Sequence, residues 1–556
     1  MKTAYRRAAV AALLLLAACA ALVCAVVPSL VEDAVRRQIA ELPAVLSENP
    51  GVTVEPPQVR EVRFSPLSRT LVLGGIECRG EVRDTASAAP SSPPSVTFFT
   101  RTEELSLRLT LRAVLLTTPL GRFLLPGADA EPTLLPVADS ARIRDLTETV
   151  TTPDLVLTGT LRAGEAEGLR ADTSLLRALA AGAAGAPDAS GKAPDALDVI
   201  YGIAVERLRL GDMTMDMKMA DGKTRLSASC AESCLLGKEG RRVAEERFRD
   251  IRATLPDGQR FALASLEYLA VVLPEKERLR AFLREPGVAS PSAGRLRTAL
   301  EALVSGPEPL VGELVVTDLA LSVDQAGSLE ERHALRLKRC SSVWRSNAPL
   351  DQTLVIEGLS MPVFPLEDAT GLRFPGLSLL VLDATAAVRG TGPRNATAPP
   401  PEQHTGSLTL RGLGTLDYGV TLASGGHASP EDILRGTYSD LSLRYTDAGL
   451  FAYLANGFMP SADAAMMVIK VGLARFCSAD TPENATLRAA LETFVERPGT
   501  LVLRGRAPFT LLEALLKAGD GDAGALFSAT AEPGRRTLEE SIRHIQALGA
   551  SRRGER

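Results

Sequence analysis

The sequence predicts an α+β protein that is mainly β. It has one N-terminal transmembrane helix, an elongated curved antiparallel β-sheet body and a C-terminal helical subdomain. Three observations predict this. Residues 8–31 carry no charge, short segments alternating apolar and polar residues recur through most of the chain, and helix-like sequence punctuated by proline is densest after residue 450. The composition fits a long, thin sheet: 45% of the 556 residues are hydrophobic but only 4% are aromatic, with one Trp. Leu, Val and Ala must therefore supply the interior.

Residues 1–31 read as a membrane anchor. Lys2, Arg6 and Arg7 precede the apolar run, which contains Leu13, Leu14, Leu15, Leu16, Leu22, Val23, Val26 and Val27. The run exceeds the roughly 20 apolar residues that span a bilayer as a helix. Cations before it, and Glu32 and Asp33 after it, place the N-terminus inside. The expected location is the cytoplasmic (inner) membrane, single-pass, with the bulk of the chain in the periplasm. Two other readings stay open. Ala18-Cys19-Ala20 is a weak cleavage site, and Leu16-Ala17-Ala18-Cys19 is similar to a lipobox that would lipidate Cys19. Residues 32–49 form an amphipathic link.

The body begins with an N-terminal β-region at 50–170. Leu105, Leu107, Leu109 and Leu111 alternate with Ser106, Arg108, Thr110 and Arg112, which gives a strand one apolar and one polar face. The same period recurs at Leu416, Tyr418, Val420 and Leu422, and at Leu441, Leu443 and Tyr445. A second pattern reads Leu-x-apolar-x-Gly/Asp-apolar, at LVLGGI (from Leu71), LRLGDM (Leu208), LVVTDL (Leu314), LVIEGL (Leu354) and LTLRGL (Leu408). Its apolar positions one, three and six change parity across the Gly or Asp, so a bulge or kink there must restore the facing. A middle β-region at 198–285 and a β-sheet region with kinked-strand repeats at 308–430 follow from these patterns.

Strand and helices then mix in a subdomain at 431–531. Helices are expected at Leu450–Asn456, Ala462–Arg475, Thr486–Arg497 and Thr510–Lys517, with Pro460 and Pro482 as breaks and a strand at Leu501–Leu503. Residues 532–556 read as a frayed helix and tail. Thr85–Ser95, Ala181–Ala196, Glu285–Gly294 and Gly390–Gly406 read as linkers or loops.

The chemistry-bearing motifs are absent. Gly222-Lys223-Thr224 has Met217 where a phosphate-binding loop needs its first glycine, and Gly412-x-Gly414 runs into a strand pattern. There is no G-x-S-x-G elbow and no H-E-x-x-H pair. The four His, His333, His404, His427 and His544, are scattered, with His404 and His427 in loop-like sequence. The acidic pairs Glu103-Glu104 and Glu245-Glu246 read as solvated faces. A net charge of −5 calls for no nucleic acid. The seven Cys form no even framework; Cys230 and Cys234 are read either as a local bridge across a tight loop or as separate thiols. Asn395-Ala396-Thr397 and Asn484-Ala485-Thr486 match glycosylation acceptors by accident. The expectation is a protein without catalytic residues, cofactor or metal, and not an enzyme.

One cluster stands out. Met213, Met215, Met217 and Met219 alternate with Thr214, Asp216 and Lys218, so on a strand all four thioethers share a face. Soft-metal binding, plain core and a surface facing lipid or partner are its three readings.

The segment from about Val52 to Leu161 resembles the start of AsmA-like proteins, a family of membrane-anchored periplasmic β-rich proteins. The similar phrases are EVRFSPLSRTLVLGGIECR from Glu61, ELSLRLTLRAVLL from Glu104 and DLVLTGTLR from Asp154. The resemblance implies a β-sheet groove in the cell envelope, associated with lipid transport between membranes and outer-membrane assembly. The groove would be lined by Leu105, Leu107, Leu109, Leu111 and the Met213 to Met219 face. Its partners would be the membrane, phospholipid acyl chains and envelope proteins. The alternative expectation is a non-enzymatic structural or interaction scaffold, with the same residues sealed by the C-terminal helices.

Overall fold

A computed structural model describes residues 27–37, 39–40, 52–82, 96–116, 133–177, 196–219, 225–255, 258–284, 308–323, 332–347, 350–363, 374–390, 401–423, 436–458 and 461–554. The anchor leucines and Val23 and Val26 lie outside them; Val27 alone is described. Among the described residues no single helix is long and apolar enough to cross a membrane. The protein is mainly antiparallel β-sheet with helices, and it divides into two units, Met1–Leu303 and Val304–Arg556.

The first unit holds β1 (Val52–Val54), β2 (Gln58–Ser65), β3 (Thr70–Val82), β4 (Val96–Leu109), β5 (Leu134–Thr151), β6 (Leu155–Asp172), β7 (Ile203–Met219), β8 (Arg225–Glu239), β9 (Arg242–Thr254) and β10 (Gln259–Val272). From β2 to β10 each strand pairs antiparallel with the next, and β1 extends the β2 edge along β3. The regions expected at 50–170 and 198–285 are thus one meander, joined by β6 and β7. Among the described residues its helices are α1 (27–37), α2 (Leu111–Leu116), α3 (Ala196–Gly202) and α4 (Lys276–Arg284), with a further helical turn at 173–177.

Two lines of skipped pairs cross this meander. On the first, Gly75, Asp145, Asp212 and Asp250, on alternate strands, have φ of 58°, 48°, 52° and 49°. Across this line the ladders keep their register and miss the pair at the line, such as Arg162 with Asp212, while β4–β5 and β5–β6 shift register elsewhere, at Arg108/Leu109 and Pro136/Ala138. On the second, Gly168, Gly237 and Ala270, on β6, β8 and β10, have φ of 64°, 60° and 52°. A left-handed residue turns the chain so that residues three apart share a face. Leu71, Leu73 and Ile76 consequently pack in one cluster. Asp and Gly tolerate that backbone best, which explains their placement. The kinks read from sequence at Gly75, Asp212, Asp318 and Gly358 all have positive φ inside strands; Gly412 instead lies in the turn between two strands.

The second unit holds β11 (Val311–Val323), β12 (Arg332–Asn347), β13 (Leu350–Pro362), β14 (Leu379–Gly390), β15 (Glu402–Leu410), β16 (Gly414–Leu422), β17 (Thr437–Asp447), β18 (Thr500–Gly505), β19 (Phe509–Thr510) and β20 (Phe527–Glu532). It too is an antiparallel meander from β11 to β17, after which β17 pairs with β18 and β19, and β18 with β20. β15 takes up part of the loop expected at Gly390–Gly406, because Thr405 and Ser407 continue the strand alternation.

Its helices are α5 (Leu450–Phe458), α6 (Ala462–Phe476), α7 (Pro482–Glu496), α8 (Leu511–Gly519) and α9 (Leu538–Gly554). Proline is the first residue of α7 rather than a break before it, because the Thr481 side chain caps the Asn484 amide and Pro fits that first turn. The segment expected as a frayed tail is instead a core helix: Leu538, Ile542 and Ile545 of α9 are buried against Ala452, Tyr453 and Ala465. The spacing of these residues puts them on one helix face.

Candidate functional site

Side chains directly opposite in an antiparallel ladder share a face. The first unit's register therefore gathers one mostly apolar and one mostly polar face. Met213 faces Leu161 of β6 and Cys230 of β8, and Met217 faces Leu157 and Leu226. The alternate residues, Thr214 against Thr160 and Ser229, make the polar face. The apolar side runs unbroken through the first crease. A Cβ placed on Gly164 would lie 2.6 Å from Ile143, 3.1 Å from Leu210 and 3.5 Å from Leu161, which come from both sides of that line.

One end of this face is sealed. Leu109, Leu71, Leu73 and Phe64 are buried beneath Val31 of α1 and Ala113 and Val114 of α2, with Leu105 and Leu107 packed at the margin. Glu32 of α1 also accepts the Phe64 backbone N–H at 2.8 Å, which pins the helix to β2. The seal is formed by these two helices of the first unit. Leu111 departs from the strand expected of it: it opens α2 and is 64% exposed. The Thr110 hydroxyl accepts the Ala113 amide and starts the helix there, ending the alternation.

The remainder of the face is not sealed among the described residues. Met213 and Met217 are half-buried and Met215 and Met219 are exposed. No buried cluster includes these four or their cross-strand neighbours Leu157 and Leu161. The structure thus brings the methionines together on one face with the leucines of β6, and separates them from the sealed leucines of β4.

The second unit repeats this plan. Leu354 and Ile356 of β13 lie opposite Ala386 and Ala384, and β13 is half-buried throughout. At the far end, Leu501 and Leu503 of β18 pack under Leu487 and Leu491 of α7, and the Tyr445 ring meets Phe494 at 5.9 Å. Burial pushes the Tyr445 phenol far up, and its hydroxyl donates to Asp447 at 2.6 Å. Separate exposed apolar side chains stand on α6 (Met467, Val468, Val471) and α8 (Leu512, Leu515, Leu516).

Ionisable groups are rare on the first unit's apolar face. Lys238 donates to the carbonyls of Ile200 and Ile203, and burial lowers its pKa. Glu246 lies between Leu235 and Tyr268, and burial raises its pKa. The acidic pair Glu245-Glu246 is therefore not a solvated face: Glu245 pairs with Arg247 on the polar side, while Glu246 joins Phe248 on the apolar side. A strand sends neighbours to opposite faces, and Phe248 two residues on was the signal.

Cys230 and Cys234 are free and lie along β8 rather than in a loop. Among the described residues no group of His, Cys, Asp or Glu could hold a metal ion. His404 belongs to β15 rather than a loop, with Nε2 3.5 Å from Glu402. Asn484 is buried and hydrogen-bonded. Asn395, His427 and the side chain of His333 lie outside the described residues. No family model matches the chain, and neither a curated protein nor a solved structure matches it.

Proposed function

We propose that this is an envelope protein held in the inner membrane by the apolar run ahead of α1, since Val27 and Val31 of α1 pack on the sheet, and that its periplasmic β-sheets carry lipid acyl chains on their apolar faces. It does so without covalent chemistry. The observation that carries the reading is the unsealed apolar face of β6 to β8, with four thioethers on β7 that adapt to irregular chains. Each CH₂ withdrawn from water contributes about 0.8 kcal/mol, so an acyl chain needs no polar anchor to be held. The resemblance to AsmA-like proteins supports the same reading. Incorporation of a photoreactive amino acid at Met217, and separately at Lys218 on the opposite face, tests it in cells. Lipid adducts are expected at 217 and not at 218. A full-length protein that gives no lipid adduct at 217 would overturn the reading.

A second reading is a structural scaffold of the envelope. It is supported by α1 and α2, which seal the β3 and β4 end of the same face. It expects protein adducts, not lipid, at 217.

A further inference from the structure

The apolar face of the first unit contains a carboxyl group that the fold itself does not use. Glu246 stands between Leu235 on β8 and Tyr268 on β10, with Phe248 two residues along its own strand. The Phe248 and Tyr268 rings meet edge to face at 6.5 Å, which fixes both on the side Glu246 occupies. Ser233, on the same face opposite Phe248, is buried. Glu246 is half-buried and has no hydrogen bond or ion pair among the described residues. Every comparable acid nearby has one: Glu245 pairs with Arg247, Glu232 with Arg209 and Arg249, and Glu267 with Arg247.

An unpaired, partly desolvated carboxyl is costly, and a leucine in its place would pack without that cost. Burial raises its pKa, in keeping with a missing partner. The charge balance of the face limits what that partner is. From β5 to β10 the other ionisable side chains with formal charge on this side are Lys238, already committed to two carbonyls, and the exposed Glu148. The arginines lie on the opposite face, as Arg207, Arg209 and Arg249 do. A phosphate or carboxylate head therefore finds no cation beside Glu246 among the described residues of these strands, whereas an ammonium group finds a carboxylate with free lone pairs.

We propose that Glu246 is the recognition point for the ammonium group of an amphiphile whose hydrocarbon lies along the apolar face toward β7. This rests on the lipid-handling reading and adds the head-group class to it. The Tyr268 hydroxyl and the Ser233 hydroxyl supply the neutral polar contacts available on the same patch.

The test uses full-length protein in detergent and two lipids with the same photoactivatable acyl chain, one with a phosphoethanolamine head and one with a phosphoglycerol head. Adducts on β6 to β10 are mapped by mass spectrometry. The wild type is expected to favour the ethanolamine lipid by roughly fivefold, the scale of one partly exposed hydrogen bond to a charged group. Glu246→Gln, of equal size, should bring the ratio close to one with total labelling retained. Glu148→Gln should leave the preference intact. A preference that persists in Glu246→Gln, or that is absent in the wild type, overturns the assignment while the lipid-handling reading stands. If neither lipid labels the face, both fail.

Discussion

The backbone N–H of Gly358 donates to Oδ1 of Asp383 at 2.7 Å, from the kink of one strand to the side chain of the next. Gly358 has φ of 63°, and the register between β13 and β14 shifts there, so its amide is out of the ladder. Asp383 supplies the missing acceptor. Arg411, in the turn after β15, then grips the same carboxylate through Nε and Nη2, the latter at 2.8 Å. These contacts hold the Asp383 carboxyl below the usual carboxylate range, led by the Arg411 hydrogen bond.

Asp383→Ala should therefore destabilise the second unit by about 1–2 kcal/mol at neutral pH, as an amide loses its charged acceptor. The sign with pH follows from the lowered pKa. The contribution is fully present above the unfolded value, about 3.9, and is lost as pH falls through the folded value. Urea unfolding at pH 7 and near pH 3 should show the gap between wild type and variant shrinking in acid. An equal gap at both pH values would contradict the role.

The creases make a separate prediction. Asp212 has φ of 52° in the middle of β7. Its carboxylate only reaches Arg162 at 3.7 Å on an exposed surface, which contributes little. Asp212→Gly should leave stability nearly unchanged, while Asp212→Val should cost about 1–2 kcal/mol because a β-branched residue resists left-handed backbone. Urea midpoints measured on both variants decide this; equal effects would show that the side chain, not the backbone, matters at the crease.

Asn484 carries the third. It is 1% exposed and donates through Nδ2 to the Ala479 carbonyl and Asp522, both at 3.2 Å, while its Oδ1 accepts the Gly524 N–H at 2.7 Å. Asn484→Ala strands the Gly524 amide and opens a void, with an expected cost of about 2–4 kcal/mol. Thermal unfolding checks it. The same burial keeps the Asn484-Ala485-Thr486 sequon from carrying a glycan in the folded state, so the intact mass should show none.

What was legible in the sequence had a local cause. The parity change across Gly75 or Asp212 is written in three apolar positions, and it located the kinks. The Thr481 and Pro482 start of α7 follows from capping chemistry that proline spacing alone misread. What was not legible depends on pairing. Nothing local says that the skipped positions line up across β3 to β10, that α1 covers β3 and β4, or that Glu246 falls on the apolar side. Those are properties of register, and register joins residues distant in sequence. Leu111 shows the limit of periodicity: the alternation continues for one residue after Thr110 has already capped a helix.

Cys230 and Cys234 give the fourth prediction. Both lie on β8, four residues apart and on either side of the crease at Ala231. Cys230 faces Met213 on the apolar side, whereas Cys234 lies opposite Arg209 and Arg247 on the polar side. Four strand residues span about 13 Å, beyond the roughly 7 Å limit for Cα atoms joined by a disulfide. No bridge between them should form under oxidising conditions. Burial also raises the Cys230 thiol pKa, leaving less thiolate at pH 8. A charged maleimide applied to the purified full-length protein should therefore modify Cys234 well before Cys230, as read by peptide mass mapping. Adding long-chain lipid should slow Cys230 further and leave Cys234 unchanged, because only the former shares the face proposed to hold acyl chains. Equal protection of both thiols would mean a global effect on the fold, and a recovered peptide with the two sulfurs joined would refute the strand register itself.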